Sequence, residues 1–204
     1  MEAGQGRGLR LSLDWATPAP RVALAMACLF GSLGVALPFL SRWLSVERGL
    51  GGTEIGAVLS LAQLARIGTG PMLAFWADGV SDRRWPLRVL GTGAVIAYLV
   101  FFFLAHQFWA LLLCGFFALT LSQAASPFTE GAVLRATARG RLPYGLARGF
   151  GSLAFIIGSV AGGALITASG LVVVVFWVTG GLALFSLVAW FVLLPDQRPM
   201  RARC

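Results

Sequence analysis

The sequence predicts an all-α integral membrane protein of six membrane-crossing helices, and three observations carry that expectation. The chain of 204 residues is 58% hydrophobic and only 12% charged, with a mean hydropathy of +0.83, which is too apolar for an ordinary soluble domain. Its apolar residues gather into six stretches, each near the roughly 20 residues that a helix needs to cross about 30 Å of hydrocarbon. Its arginines fall almost wholly on alternate loops between those stretches, as membrane topology demands.

The first stretch is Val22 to Leu44, after a polar tail at 1–21. Arg7, Arg10 and Arg21 ahead of an apolar run resemble a secretory leader, but the run is too long and no small-residue cleavage site follows, so it reads as a retained span. The second, Ile55 to Ala77, carries Gln63, Arg66, Thr69 and Gly70 at helical spacing, a polar stripe on an otherwise apolar helix. The third is Leu87 to Ala105, and His106 sits in the very short loop that leads to the fourth, Phe108 to Val133; it reads as an interfacial histidine. The fifth, Tyr144 to Ala168, is rich in glycine, and only Ser169 and Gly170 divide it from the sixth, Leu171 to Leu194.

The net charge of +8 invites a nucleic-acid reading, but the positions of the arginines explain it otherwise. With the N-terminus in the cytoplasm, Arg7, Arg10, Arg21, Arg83, Arg84, Arg88, Arg135, Arg139, Arg141, Arg148, Arg198, Arg201 and Arg203 fall inside. Only Arg42 and Arg48 fall outside, and Arg66 is left within a span. The basic balance is topological and calls for no nucleic-acid partner. Trp15, Trp76 and Trp85 near the inner interface and Trp43 and Trp109 near the outer one fit the same frame. Cys28, Cys114 and Cys204 give neither a disulfide framework nor metal-ligand spacing, and no cofactor is expected. One histidine and no nucleophile with a base on a facing span leave an intramembrane hydrolase without support.

Glu130 and Arg148 flank the loop bearing Arg135, Arg139 and Arg141, nearly symmetrically about residue 138. In two antiparallel helices both would sit roughly five residues, about 7 Å, from the inner interface, so they can meet at one depth. Ionisable side chains in a bilayer line water-filled paths or pair with one another, which makes these two a candidate functional site. The structural alternative is that Arg148 snorkels to the headgroups and Glu130 merely ends a helix. Arg66, near mid-span, must face protein, water or an anion, since an arginine there is disfavoured by at least about 2.5 kcal/mol. A structural ion pair and a contact to a substrate carboxylate, which a planar guanidinium suits, both remain open for it.

Packing signals complete the reading. The fifth span carries the small-xxx-small pairs Gly145/Gly149, Gly158/Gly162 and Ser159/Gly163, which let helix backbones approach closely in lipid. Pro38 in the first span and Pro127 in the fourth are each followed by Phe, and in a three-plus-three arrangement these spans are equivalent members of two repeats.

Gly70-Pro-Met-Leu-Ala-Phe-Trp-Ala-Asp78 followed by Arg83-Arg84 resembles the loop between spans two and three of the major facilitator superfamily, whose pattern is G-x-x-x-D-R-x-G-R-R. Ala74 replaces the first glycine, Gly79 the usual arginine and Ser81 the second glycine. The resemblance implies that Asp78, Arg83 and Arg84 hold and release the conformational change. Gly34-Val-Ala-Leu-Pro-Phe-Leu-Ser-Arg-Trp-Leu44, Pro127-Phe-Thr-Glu130 and Tyr144-Gly-Leu-Ala-Arg148-Gly-Phe-Gly-Ser152 resemble the branch of lactose permease and the 3-phenylpropionate and nucleoside proton symporters. Glu130 and Arg148 match the carboxylate and arginine that contact sugar in the permease. Leu37-Pro-Phe-Leu, Gln63-Leu-Ala-Arg66 and Phe75-Trp-Ala-Asp78 look most like phenylpropionate-type members.

The resemblance implies the N-terminal half of a major facilitator fold: two inverted three-helix repeats over 22–194, then the start of a cytoplasmic linker at 195–204. It implies a secondary active transporter in the bacterial inner membrane, both termini cytoplasmic, taking up a small organic acid with protons by alternating access. Glu130, Arg148 and Arg66 become the substrate-binding candidates. The partners implied are the substrate, protons, the lipid bilayer, and a second six-helix half or a homodimer mate. The alternatives are a non-transporting scaffold or truncated remnant, and a sugar or nucleoside as substrate.

Overall fold

A computed structural model describes residues 18–80, 82, 84–138 and 144–193. Among them are six helices and no strand: α1 Pro18–Arg48, α2 Gly52–Gly79, α3 Trp85–Leu99, α4 Phe108–Ala138, α5 Tyr144–Ser169 and α6 Val172–Leu187. α3 and α6 run on in one wider turn each, Val100–Leu104 and Val188–Val192, closed by bonds from the Ala105 and Leu193 amides to the Val100 and Val188 carbonyls. Each expected apolar stretch thus lies on its own helix. Leu194 and the proposed linker at 195–204 lie outside the described residues, as do 1–17.

Five of the six helices are long and apolar enough to cross a membrane, and α2 is not among them. The reason is the polar stripe: Gln63 and Arg66 lower the hydropathy of a helix whose 28 residues are otherwise ample for a span. Glycines end α1 and α5. Gly49 at φ +66° and Gly170 at φ +83° occupy the left-handed region that closes a helix cheaply only without a Cβ, and Ser169-Gly170 does divide the last two helices.

α1 is the centre of the bundle, packing on α5, α6 and α4, while α3 packs on α4 and α6, and α2 on α4. Met26, Leu29, Leu40 and Leu44 of α1 are buried. Lipid tails are as apolar as leucine, so burial of such side chains drives little helix association in a bilayer, and close backbone contact has to do it. That contact is made by α1 and α5. A Cβ at Gly158 would stand 2.5 Å from the Gly31 carbonyl oxygen, and one at Gly162 would stand 2.6 Å from Cγ2 of Val35. Ser159 Oγ donates to the Gly34 carbonyl at 2.7 Å. On the other side of α1, Trp177 Nε1 donates to the Gly31 carbonyl at 3.2 Å, and Gly181 leaves room for Ser32. The pairs Gly158/Gly162 and Ser159/Gly163 therefore face α1. Gly145 and Gly149 have open space around them, so that pair joins no helices among the described residues.

Arginines finish the helix ends. Arg21 donates to the Val192 carbonyl at 2.9 Å, Arg84 to Leu193 at 3.2 Å, and Arg88 to Ala189 at 3.1 Å and Trp190 at 3.0 Å. Carbonyls left without amide partners at the end of α6 are thereby satisfied from α1 and α3. At the opposite end, Arg48 donates to the Phe102 carbonyl and contacts His106 Nδ1 at 2.8 Å, with its guanidinium 5.0 Å from the Trp43 ring. Trp43 is buried against Phe101 and Phe102 and closes this end of the core instead of standing free at an interface.

Candidate functional site: an ion pair and a cavity along α4

α4 carries a polar line through an apolar helix. Thr120, Gln123 and Glu130 follow one another at spacings of three and seven, with Pro127 between the last two, which places them on one face. Gln123 and Glu130 are seven residues apart, about 10 Å along the axis.

At one end of this line Arg148 Nη2 of α5 lies 3.4 Å from Glu130 Oε1. The symmetric placement of the two charges about the loop thus brings them together. The separation is longer than the roughly 2.7–2.9 Å of a tight charge-assisted hydrogen bond. The side chains remain 33% and 38% exposed, so the pair is open on one side and free to rearrange around a third group. Behind it, Arg148 stacks 4.9 Å from the Phe30 ring of α1, which fixes the guanidinium without consuming a hydrogen-bond donor.

At the other end, α2 and α4 line a partly open cavity of about 240 Å³, at which Arg66 is exposed. Ala62, Leu73, Ala124, Pro127 and Phe128 give it apolar walls, and Arg66, Thr69, Thr120 and Gln123 supply its polar groups. Arg66 makes no ion pair or hydrogen bond among the described residues. Gln123 is 9% exposed, and Thr120 Oγ1 is buried without a partner. Of the two roles left open for Arg66, a structural ion pair or a substrate contact, no ion pair is found among the described residues, and Arg66 lines the cavity. Gln123 and Thr120 escape sequence reading because each alone resembles a helix-surface polar residue. Their spacing from Glu130 is the signal that could have found them.

The loop expected to act as a switch is described in part. Asp78 lies in the last turn of α2 with its side chain outside the described residues, and Arg83 is also outside them. Arg84 Nε donates to Asp82 Oδ1 and Oδ2 at 3.0 and 3.1 Å, and Nη2 to Oδ2 at 2.8 Å. The Arg84 amide adds a fourth bond to Asp82 Oδ1 at 3.0 Å. The hydrogen bonds from Arg84 hold the Asp82 carboxyl below its ordinary pKa. Asp82 is thus the residue that seats Arg84, and its place two residues earlier in Ser-Asp-Arg-Arg-Trp-Pro is the spacing of an Asx turn. Among the described residues no three His, Cys, Asp or Glu side chains gather as a metal centre requires.

Residues 22–200 match the model of the MFS_1 like family. Over 189 residues the chain is 33% identical to the probable 3-phenylpropionic acid transporter of Escherichia coli (strain K12), a stretch that takes in 89% of this chain and 47% of the relative. The chain spans about half the length of the curated relative it matches. No solved structure matches it. A family match across nearly every helix, together with five helices able to cross a bilayer, makes this a multi-pass membrane protein that belongs to the MFS_1 like family of the major facilitator superfamily.

Proposed function

We propose that the chain is the N-terminal six-helix half of a secondary active transporter that takes up a small organic acid, of the phenylpropanoid kind, together with protons by alternating access. The bundle at 22–194 acts as two inverted three-helix repeats, α1 to α3 and α4 to α6, with 1–21 as a cytoplasmic tail and 195–204 as the start of the linker between halves. It sits in the bacterial inner membrane with both termini in the cytoplasm, where the arginines of the tail and of the α2–α3 and α4–α5 loops belong. A second six-helix half, or a homodimer mate, completes the cavity.

The observation that carries this reading is the Glu130–Arg148 pair, held across α4 and α5 at 3.4 Å and open on one side. Such a pair can exchange its internal contact for contacts to a substrate without stranding either charge in the bilayer. Arg66 adds a second cation facing a cavity. Arg84, tied at once to Asp82 and to the end of α6, connects the switch loop with Asp78 and Arg83 to the helix from which the linker departs.

Ligand-dependent thermal stabilisation of the purified transporter, this bundle together with the second half or mate that completes the cavity, tests the substrate class. The reading expects 3-phenylpropionate to raise the unfolding midpoint and lactose and nucleosides to leave it unmoved. Stabilisation by lactose or a nucleoside, without any by the acid, reassigns the substrate.

A further inference from the structure

We infer that the carboxylate of the substrate is received by Arg66, with Gln123 and Thr120, in the cavity between α2 and α4, and that Arg148 is not its counter-ion. The inference rests on reading the chain as an organic-acid transporter and assigns the parts of that site.

The two candidate cations differ in what they still lack. Arg148 has a carboxylate at 3.4 Å and an aromatic face at 4.9 Å, so its charge is already compensated within the protein. Arg66 lies near the middle of the 28-residue α2 and has neither an ion pair nor a hydrogen bond among the described residues. An uncompensated arginine at that depth is the costlier of the two, and an incoming anion relieves it. A planar guanidinium offers two parallel donors, the geometry a carboxylate matches.

The surroundings of Arg66 also favour a carboxylate on an apolar body. Thr120 Oγ1 is buried without a partner, and Gln123, 9% exposed, makes no hydrogen bond among the described residues. The unmade Thr120 hydroxyl is expensive and gains if its side chain turns to an entering acceptor, and the Gln123 amide, which is not fully closed off, can donate to the same group. Pro127 and Phe128 wall the rest of the cavity and would pack against a ring or short chain. Its volume of about 240 Å³ lies under the roughly 300–1,000 Å³ typical of drug-sized sites, which limits the ligand to a small acid. Glu130 lies about 10 Å further along the same face of α4, so the pair it forms with Arg148 can position the opposite end of the ligand or the water beside it.

The decisive comparison is between an acid and its uncharged isostere. Binding of 3-phenylpropionate and 3-phenylpropanamide in detergent is measured by calorimetry on the purified transporter, in which this chain is completed by its second half or mate. The native chain is expected to prefer the acid at least tenfold. Arg66→Gln should weaken the acid at least tenfold and leave the amide unchanged, which removes the preference. Arg66→Lys, with the charge but not the fork, should retain part of it, and Thr120→Val and Gln123→Ala should each weaken the acid several-fold more than the amide. The double variant Glu130→Gln/Arg148→Gln should weaken both ligands in parallel and keep their ratio.

The inference is overturned, with the transporter reading intact, when Arg66→Gln or, should that variant not fold, Gln123→Ala and Thr120→Val keep the native ratio. Loss of the ratio in the double variant alone moves the counter-ion to Arg148. A native chain that binds both ligands equally shows that Arg66 serves another anion, such as a lipid phosphate, and overturns the inference. Binding of neither ligand overturns the organic-acid reading as well.

Discussion

Gly158 of α5 lies against the backbone of Gly31 in α1, so near that a Cβ at 158 would come within 2.5 Å of the Gly31 carbonyl oxygen. The neighbour is main chain and cannot swing aside as a flexible side chain would. Gly158→Ala should therefore force the helices apart at a cost of about 1–3 kcal/mol, the usual range for overpacking. Gly145→Ala, which meets nothing within 4 Å, should be neutral or stabilising by up to about 1 kcal/mol through helix propensity. Thermal unfolding of the two variants in one detergent checks the contrast, and equal effects would remove the close crossing from the account.

The bond from Ser159 to the Gly34 carbonyl, at 2.7 Å, crosses the same interface. Ser159→Ala should destabilise by about 0.6 kcal/mol, the average of measured hydrogen bonds between membrane helices. A far larger loss would mean that the hydroxyl does more than join α1 to α5.

Arg48 should matter at the other end of the bundle. It bonds the Phe102 carbonyl and His106 and stacks over Trp43, so Arg48→Ala removes all three contacts and leaves the end of the third helix without its cap. A loss of about 1–3 kcal/mol is expected in thermal unfolding, from the unmade bonds to a charged donor. Arg42→Ala, an exposed arginine on the same helix, should stay within about 0.5 kcal/mol of the native chain.

Asp82 gives a pH dependence with a definite sign. Its folded-state pKa lies below the ordinary 3.8 because Arg84 bonds the ionised form. The stabilisation is therefore fully present above 3.8 and fades as pH falls below it, through the depressed folded value. Both side chains are partly exposed, at 38% and 21%, so the effect should be under about 1 kcal/mol. Unfolding midpoints of the native chain and Asp82→Asn should differ above that pH and converge below it. A gap that widens on acidification would contradict the assignment.

Much of this was legible in the sequence because a bilayer constrains length and polarity so tightly. Length and hydropathy locate five of the six helices, α2 is found from its length despite its polar stripe, and the equal spacing of Glu130 and Arg148 from one loop places them where they can meet. What escaped has physical reasons. Gly31 and Gly34 in α1 are where α5 comes closest, at Gly158 and at Phe155 and Ser159, yet a glycine in an apolar run carries no mark of which helix it will meet. Asp82 takes Arg84 through an i to i+2 contact that a family pattern centred on Asp78 does not contain. The spacing of Gln123 and Thr120 from Glu130 marks one face of α4, but only the packing of α2, which brings Arg66 to the same cavity, shows what that face meets.

The most direct test is saturable binding of radiolabelled 3-phenylpropionate to the purified transporter, completed by its second half or mate, as native protein and as Glu130→Gln and Arg148→Gln, with helix content checked by circular dichroism. Each single variant leaves one charge of the pair uncompensated, so the account predicts displaceable binding by the native chain and at least tenfold weaker binding by both variants at unchanged helix content. Native affinity in both variants would contradict it.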